Sequence, residues 1–325
     1  MRDSSIDLGR GLAILFVYFS HSILYHPINM LDMYPWCKFL HEIFGSFMMP
    51  IFFIISGYLF SKTHKSTGEL YKGKTLRIFV PYLTTMAIII GMKLVLPMEM
   101  SYNYAVGKGA YALIINVLLQ GGDRWFVHTL FIIFLLLIPI RRLLKNKYFD
   151  MVLIAVLIVV YFLHFLPTTL AKVFYYMAFF VAGYTLDELY SKIRAWSLKY
   201  WWMIYLVAVL VNGVFIMYLE KFPFVYRFIL PFTGTLAVMT LAFKLEKSIE
   251  CNVVAQYIEY CGKYSLQFYL FSFCYPIIRT VIVSVMHITN PYVIVTSVFV
   301  LQLIAITIIV EITRRIKWLK IPCGY

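Results

Sequence analysis

Charge is scarce in this chain. Asp, Glu, Lys and Arg make up 14% of its 325 residues, against about 25% in an ordinary soluble domain. A soluble enzyme needs that charge to keep its surface in water, and a disordered chain needs more of it with fewer apolar residues. Both classes are excluded. Cysteine is sparse as well. Five are scattered at positions 37, 251, 261, 274 and 323, with no C-x-x-C pair and no Cys/His cluster. That removes a secreted disulfide scaffold and leaves no metal-ligand spacing; each thiol reads as simple packing. The short alternating segments of a β-barrel are missing too. What is present is apolar: 62% of residues are hydrophobic and the mean hydropathy is +0.83. These values describe a polytopic membrane protein. A net charge of +14 would point to nucleic acid in a soluble protein. Here it is a topology signal, tested by where the charge falls.

A helical span takes roughly 17–25 mostly apolar residues. Such runs occur at 8–25, 44–60, 78–96, 124–140, 150–166, 172–187, 201–219, 226–243, 266–285 and 292–312. The stretch 105–120 is apolar but set apart by Gly107, Gly109 and the Gly121-Gly122 pair, and it reads as an interfacial or re-entrant helix. With the N-terminus in the cytoplasm, twenty of the 29 basic residues fall in inside segments, four in outside loops and five within spans. That bias is the positive-inside pattern. The expected fold is an all-α integral membrane protein, a polytopic bundle of about ten transmembrane helices with both termini cytoplasmic. No small-residue cleavage site follows the first span, which is expected to remain as an anchor. All loops are short. Residues 1–325 are therefore expected to form a single transmembrane domain with no appended soluble domain, and any chemistry lies within the bundle or at its faces. No internal repeat is visible, nor a pair of broken helices of the kind many transporters carry.

Ionisable residues inside spans are costly and are functional suspects by default. The first span holds two, Arg10 and His21. Eleven residues at about 100° each come within about 20° of three full turns, so both share a helix face, about 16 Å apart along the axis. Arg10 then lies near the cytoplasmic end and His21 in the outer half. Ser20 and Ser22 flank the histidine; Gly9 and Gly11 flank the arginine and permit close approach of another helix or a ligand. On the residues alone, a boundary arginine with an interhelical hydrogen-bonding histidine accounts for the pair as well as a reaction centre does. In the second span Pro50 is expected to kink the helix or end a turn. Lys93 and Glu311 lie near span ends, where they can snorkel. Arg279, deeper in the ninth span, needs an internal partner or a wet cavity.

The densest basic patch follows the second span on the cytoplasmic side: Lys72-Gly-Lys74-Thr-Leu-Arg77, with Lys65 nearby. Lys74 and Arg77, spaced i, i+3, share a face of an α-helix. Contact with anionic lipid explains such a patch; so does a phosphate site for a cytoplasmic nucleotide-like cofactor. At the outer mouth of the fourth span stands Gly121-Gly-Asp-Arg-Trp125-Phe-Val-His128. Asp123 and Arg124 are placed to pair. Trp125 suits either a membrane interface or the face of a sugar ring.

Taken in order, these pieces resemble the membrane acyltransferase type 3 family, the bacterial carbohydrate O-acyltransferases. The resemblance runs through Arg10 and His21 within Asp7-Leu-Gly-Arg-Gly-Leu-Ala-Ile-Leu, the run Phe47-Met-Met-Pro-Ile-Phe-Phe-Ile-Ile-Ser-Gly-Tyr58, and the basic-x-x-Arg motif Lys74-Thr-Leu-Arg77 with Pro81-Tyr82. It continues through Trp125-Phe126, Phe174-Tyr-Tyr-Met-Ala-Phe-Phe-Val-Ala-Gly-Tyr184 and Gly262-Lys-Tyr-Ser-Leu-Gln-Phe-Tyr-Leu270. The chain departs from the family pattern in three places. Lys74 stands where many members have Arg, Phe271-Ser272 where many have His, and His128 where Pro is common. The extra secreted esterase-like domain that some members append is not expected here.

The resemblance implies an O-acyltransferase of the bacterial plasma membrane. Its donor would be a cytoplasmic acyl-CoA, most often acetyl-CoA, and its acceptor a hydroxyl of a cell-surface or exported carbohydrate, polysaccharide or lipid-linked. No metal and no nucleic acid are implied. O-acylation needs a base, a positioned thioester and an oxyanion stabiliser. His21 would be the base, since imidazole has an unperturbed pKa of about 6.5. Arg10 would hold the pantetheine or a phosphate, and Lys72, Lys74 and Arg77 the phosphates of coenzyme A. Asp123 and Trp125 are placed to contact the acceptor. A polysaccharide exporter or flippase is the alternative from another class; an O-succinyltransferase is the alternative within this one.

Overall fold

In hydrocarbon a backbone N–H or C=O finds no water, so an apolar run must satisfy its own polar groups, and a helix does so locally. The computed structural model describes residues 3–23, 30–95, 114–141, 143–164, 166–217 and 225–325, and no strand occurs among them. In chain order the helices are α1 (Ser4–Ile23), α2 (Pro35–Ser61), α3 (Thr67–Val95), α4 (Asn116–Ile140), α5 (Lys147–Phe162) and α6 (Thr168–Thr185). They continue with α7 (Tyr190–Lys199), α8 (Trp201–Met217), α9 (Arg227–Glu246), α10 (Val253–Lys263), α11 (Ser265–Val285) and α12 (Pro291–Arg315). Each expected span falls on one of them. Among the described residues seven helices are long and apolar enough to cross a membrane, or eight with α6 and α7 counted as one bent span. The other two expected spans fall on α5 and α8, which are only 16 and 17 residues long. The chain is an all-α polytopic membrane protein.

Two local expectations gain detail. Pro50 ends a turn: α2 runs helically to Phe47, turns at Met48-Met49 and resumes at Pro50, because proline cannot donate to the preceding turn but suits a first helical position. At the Gly121-Gly122 pair the helical turns Asn116–Gln120 end, and the α-helix of the fourth span starts at Trp125. Both glycines have positive φ, 81° and 50°, and they turn the chain within α4. Of the proposed re-entrant stretch, residues 105–113 lie outside the described residues.

The chain divides into two compact units. The first comprises Met1–Tyr25, Asn29–Lys62 and Gly183–Ser265; the second comprises His26–Ile28, Thr63–Ala182 and Leu266–Tyr325.

In the first unit α1 is the core element. Leu8, Ala13, Ile14, Val17, Tyr18 and Ile23 are almost fully buried. Small residues let neighbours reach its backbone: a Cβ on Gly11 would overlap the carbonyl of Ile258 in α10, and a Cβ on Gly262 in α10 would overlap the carbonyl of Asp7. This is the close approach expected at Gly9 and Gly11, and the partner is a helix. In the C-terminal half of α1, Phe16 stacks on Phe44 of α2 at 4.7 Å between ring centroids.

In the second unit α3 begins with a capping box. The Ser66 hydroxyl accepts from the Glu69 N–H (3.4 Å) and the Glu69 carboxylate accepts from the Ser66 N–H (2.8 Å). α3 packs on α4 through Phe79 and Phe131, stacked at 4.6 Å, and the Tyr82 hydroxyl donates to the Val117 carbonyl at 2.6 Å. The segment 316–325 folds back on the unit. Gln267 of α11 donates to the carbonyls of Cys323 (3.2 Å) and Gly324 (2.9 Å).

Candidate functional site

Arg10 and His21 lie in the first unit, on a helix unbroken from Ser4 to Ile23. The α-helical geometry that puts them on one face therefore holds. Ser4, Leu15, Phe16 and Phe19 are half-buried on other faces of α1. Gly9, Gly11, Ser20 and Ser22 are buried, whereas Arg10 and His21 themselves are only half-buried. The two ionisable side chains sit on a face that packing does not seal, which is where a polar ligand is admitted without breaking a core.

The serines beside His21 have separate partners. Ser22 donates to the Tyr18 carbonyl at 2.8 Å, and the Ser20 hydroxyl meets Nδ1 of His41 at 2.7 Å. Sequence reasoning missed His41 by placing it in an outer loop. Pro35 was the available signal: proline is favoured at the first position of a helix, and α2 starts there. At the other end of α1, the Tyr190 hydroxyl donates to the Asp3 carboxylate at 2.9 Å and meets the Ser5 hydroxyl at 2.7 Å. Its ring stacks on Tyr58 at 4.6 Å. Lys62 pairs with Asp187, and that hydrogen bond holds the ammonium above its ordinary pKa.

The basic patch lies in the second unit. Lys72 and Lys74 end the α-helical part of α3, Thr67–Lys74, and Arg77 lies in the π turn that follows, Thr75–Phe79, with the Val80 N–H bonded to the Thr75 carbonyl. A π turn adds a residue to the turn and is frequent at functional sites. The even i, i+3 face expected for Lys74 and Arg77 is altered accordingly. Lys72 and Arg77 are exposed and Lys74 is half-buried, its ammonium 3.7 Å from the centre of the Phe134 ring. The shared chemistry is cation–π at Lys74 and free donor capacity at Lys72 and Arg77. Gly324 packs on the Arg77 carbonyl and on Pro81, so the chain's last residues support the π turn from behind.

Asp123 and Trp125 also lie in the second unit. Asp123 does not pair with Arg124. Its carboxylate meets the Lys93 ammonium at 2.6 Å, and the Lys93 side chain is 10% exposed. A lysine expected to snorkel from a span end is instead drawn to an ion pair. Arg124 is buried; its Nε donates to the Leu270 carbonyl (3.1 Å) and its Nη1 to the Asp123 backbone carbonyl (3.1 Å). Trp125 is half-buried. The Lys172 ammonium lies 4.9 Å from its ring centre and Tyr176 5.3 Å. Gly121 fixes this corner: a Cβ there would come within 2.7 Å of the Trp125 Cα. His128, one turn on, has Nε2 at 2.9 Å from the Leu118 carbonyl.

Among the described residues no group of three His, Cys, Asp or Glu is placed to hold a metal ion. No curated protein and no solved structure matches the chain. An acyltransferase domain family does, over residues 3–312. That match takes in the Arg10/His21 helix, the Lys74-x-x-Arg77 turn and the Trp125 corner. The chain belongs to the membrane acyltransferase type 3 family.

Proposed function

We propose that this acyltransferase moves an acyl group, acetyl in the simplest case, from cytoplasmic acyl-CoA to a hydroxyl of a cell-surface or exported carbohydrate, in the bacterial plasma membrane. The observation that carries the proposal is the half-open face of α1, where Arg10 and His21 stand in line, both half-buried, between buried neighbours. A neutral imidazole at His21 takes the proton of the attacking hydroxyl. Arg10, three turns inward, holds an anionic part of the donor. Coenzyme A is rich in phosphate, and the exposed Lys72, in the last α-helical turn, and Arg77, in the π turn after it, have the donors to bind it. Lys74, with its ammonium against Phe134, adds positive potential and holds the turn on the second unit. The family decides for acyl transfer over export; succinyl in place of acetyl is the same chemistry with a larger donor.

Arg77→Ala is expected to raise the KM for acyl-CoA by about tenfold, the value of one charge-assisted hydrogen bond, with kcat changed little. Initial rates of the purified protein against acyl-CoA concentration measure this. An unchanged KM in Arg77→Ala and Lys72→Ala alike returns the patch to lipid contact. Mass spectrometry of surface glycans from cells with and without the gene identifies the group transferred.

A further inference from the structure

The segment 316–325 follows α12 and closes on itself where it meets α3. The Gly324 N–H donates to the Ile321 carbonyl (3.1 Å) and the Tyr325 N–H to the Lys320 carbonyl (2.8 Å), the bond pattern of a Schellman turn. Gly324 supplies the left-handed residue that such a turn needs, with φ of 79°. Two anchors hold the turn in place. The Gln267 side chain donates to the carbonyls of Cys323 and Gly324. The Tyr325 hydroxyl donates to the Val310 carbonyl of α12 (3.0 Å) and meets the Thr313 hydroxyl (2.7 Å). Both anchors press the segment against the turn that carries Arg77. A Cβ on Gly324 would lie 3.0 Å from Cγ of Pro81 and 3.1 Å from the Arg77 carbonyl oxygen, tighter than ordinary van der Waals contact.

The Arg77 turn has a reason to need a brace. Pro81 stands four residues after Arg77 and has no N–H, so it cannot give the Arg77 carbonyl its α-helical bond. The Arg77 side chain is exposed, and its reach toward a phosphate depends on where the backbone of the turn stands. We propose that segment 316–325 is a positioning strap: it holds the π turn and, through Arg77, sets the affinity for a phosphate-bearing acyl donor. Gly324 and Tyr325 are then positioning residues. The proposal rests on the reading of Arg77 as a donor-binding residue, and the test separates the two.

The test is equilibrium dialysis of coenzyme A against the full-length protein in phosphatidylcholine nanodiscs, with hydrogen exchange followed at the amides of Thr75–Val80. Gly324→Ala puts a Cβ against the Arg77 carbonyl, and Tyr325→Phe removes one anchor. Each is expected to weaken coenzyme A binding by about threefold to tenfold, at most the loss in Arg77→Ala, and to speed exchange in the turn. The kcat at saturating acetyl-CoA is expected to stay unchanged. Because the strap acts through Arg77, neither variant is expected to weaken binding further in an Arg77→Ala background, whereas an independent effect adds there in full. If Gly324→Ala fails to fold, Tyr325→Phe, which lacks a single oxygen, decides. Unchanged affinity in both strap variants beside a loss in Arg77→Ala overturns the proposal, and so does a full further loss in the Arg77→Ala background. Absence of coenzyme A binding by the wild type removes the donor reading instead. Exchange then decides the strap, which stands if Tyr325→Phe speeds exchange at Thr75–Val80 and falls if it does not.

Discussion

His21→Ala is expected to abolish acyl transfer while the protein stays in the membrane with its thermal midpoint unchanged. A general base contributes about a hundred- to ten-thousand-fold to a rate, so residual activity falls below the reach of an ordinary assay with labelled acyl-CoA. Stability survives because His21 is half-buried and stands on the open face of α1, where truncation leaves no sealed cavity. His21→Gln separates proton transfer from mere hydrogen bonding. The amide keeps a donor and an acceptor of similar reach but takes no proton, and it is expected to be as inactive as alanine. A glutamine variant with wild-type turnover removes His21 from the chemistry and leaves it a helix-packing residue. Kinetics also separate the two routes: an acylated His21 gives ping-pong behaviour, whereas direct attack by the sugar requires both substrates at once.

The sequence is most informative where a rule acts over neighbouring residues. Apolar runs locate the spans because a helix satisfies its backbone within the run, and the 3.6-residue period alone is enough to place Arg10 and His21 on one face. It is least informative where the partner lies far along the chain. Nothing near Lys93 announces Asp123, thirty residues away. Nothing near Gln267 announces the carbonyls of Cys323 and Gly324. The π turn at Thr75–Phe79 is equally hidden, because its residues carry no marker of their own and only the packing of α3 reveals it. His41 is lost to a boundary error: the apolar run starts near residue 44, but the helix starts at Pro35, and the polar first turns of a span look like loop. The Asp123–Arg124 pairing fails for a geometric reason. Adjacent side chains on a helical turn diverge, and each finds its partner elsewhere.

Gly262→Val and Gly11→Val are expected to lose structure and activity together, where His21→Ala loses activity alone. The two glycines are reciprocal. Gly11 of α1 lies against the Ile258 backbone of α10, and Gly262 of α10 lies against the Asp7 backbone of α1. Overpacking a core costs about 1–3 kcal/mol when side chains can shift; here the obstruction is backbone on both sides, so the helices themselves must part and the cost is at the upper end or beyond it. Against a typical stability of about 5–15 kcal/mol, that lowers the thermal midpoint by several degrees. Gly9→Ala is the contrast. The atom it meets first is the Met239 sulfur at 2.5 Å, the end of a flexible side chain, and the loss there is small. A built-in reporter distinguishes the cases. Cys261, beside Gly262 in α10, is fully buried, and burial pushes its thiol up to about 12, so it is inert to thiol reagents in the native protein. In a background with the exposed Cys251 and the half-buried Cys274 changed to Ser, Cys261 is expected to become reactive in Gly262→Val and Gly11→Val at temperatures where the parent and Gly9→Ala stay silent. Separation of α10 also frees the segment of α1 that carries Arg10, between Gly9 and Gly11. Activity therefore falls with the same temperature dependence as Cys261 protection, and a Gly11→Val protein that keeps Cys261 protected would show that α1 and α10 do not need their backbone contact.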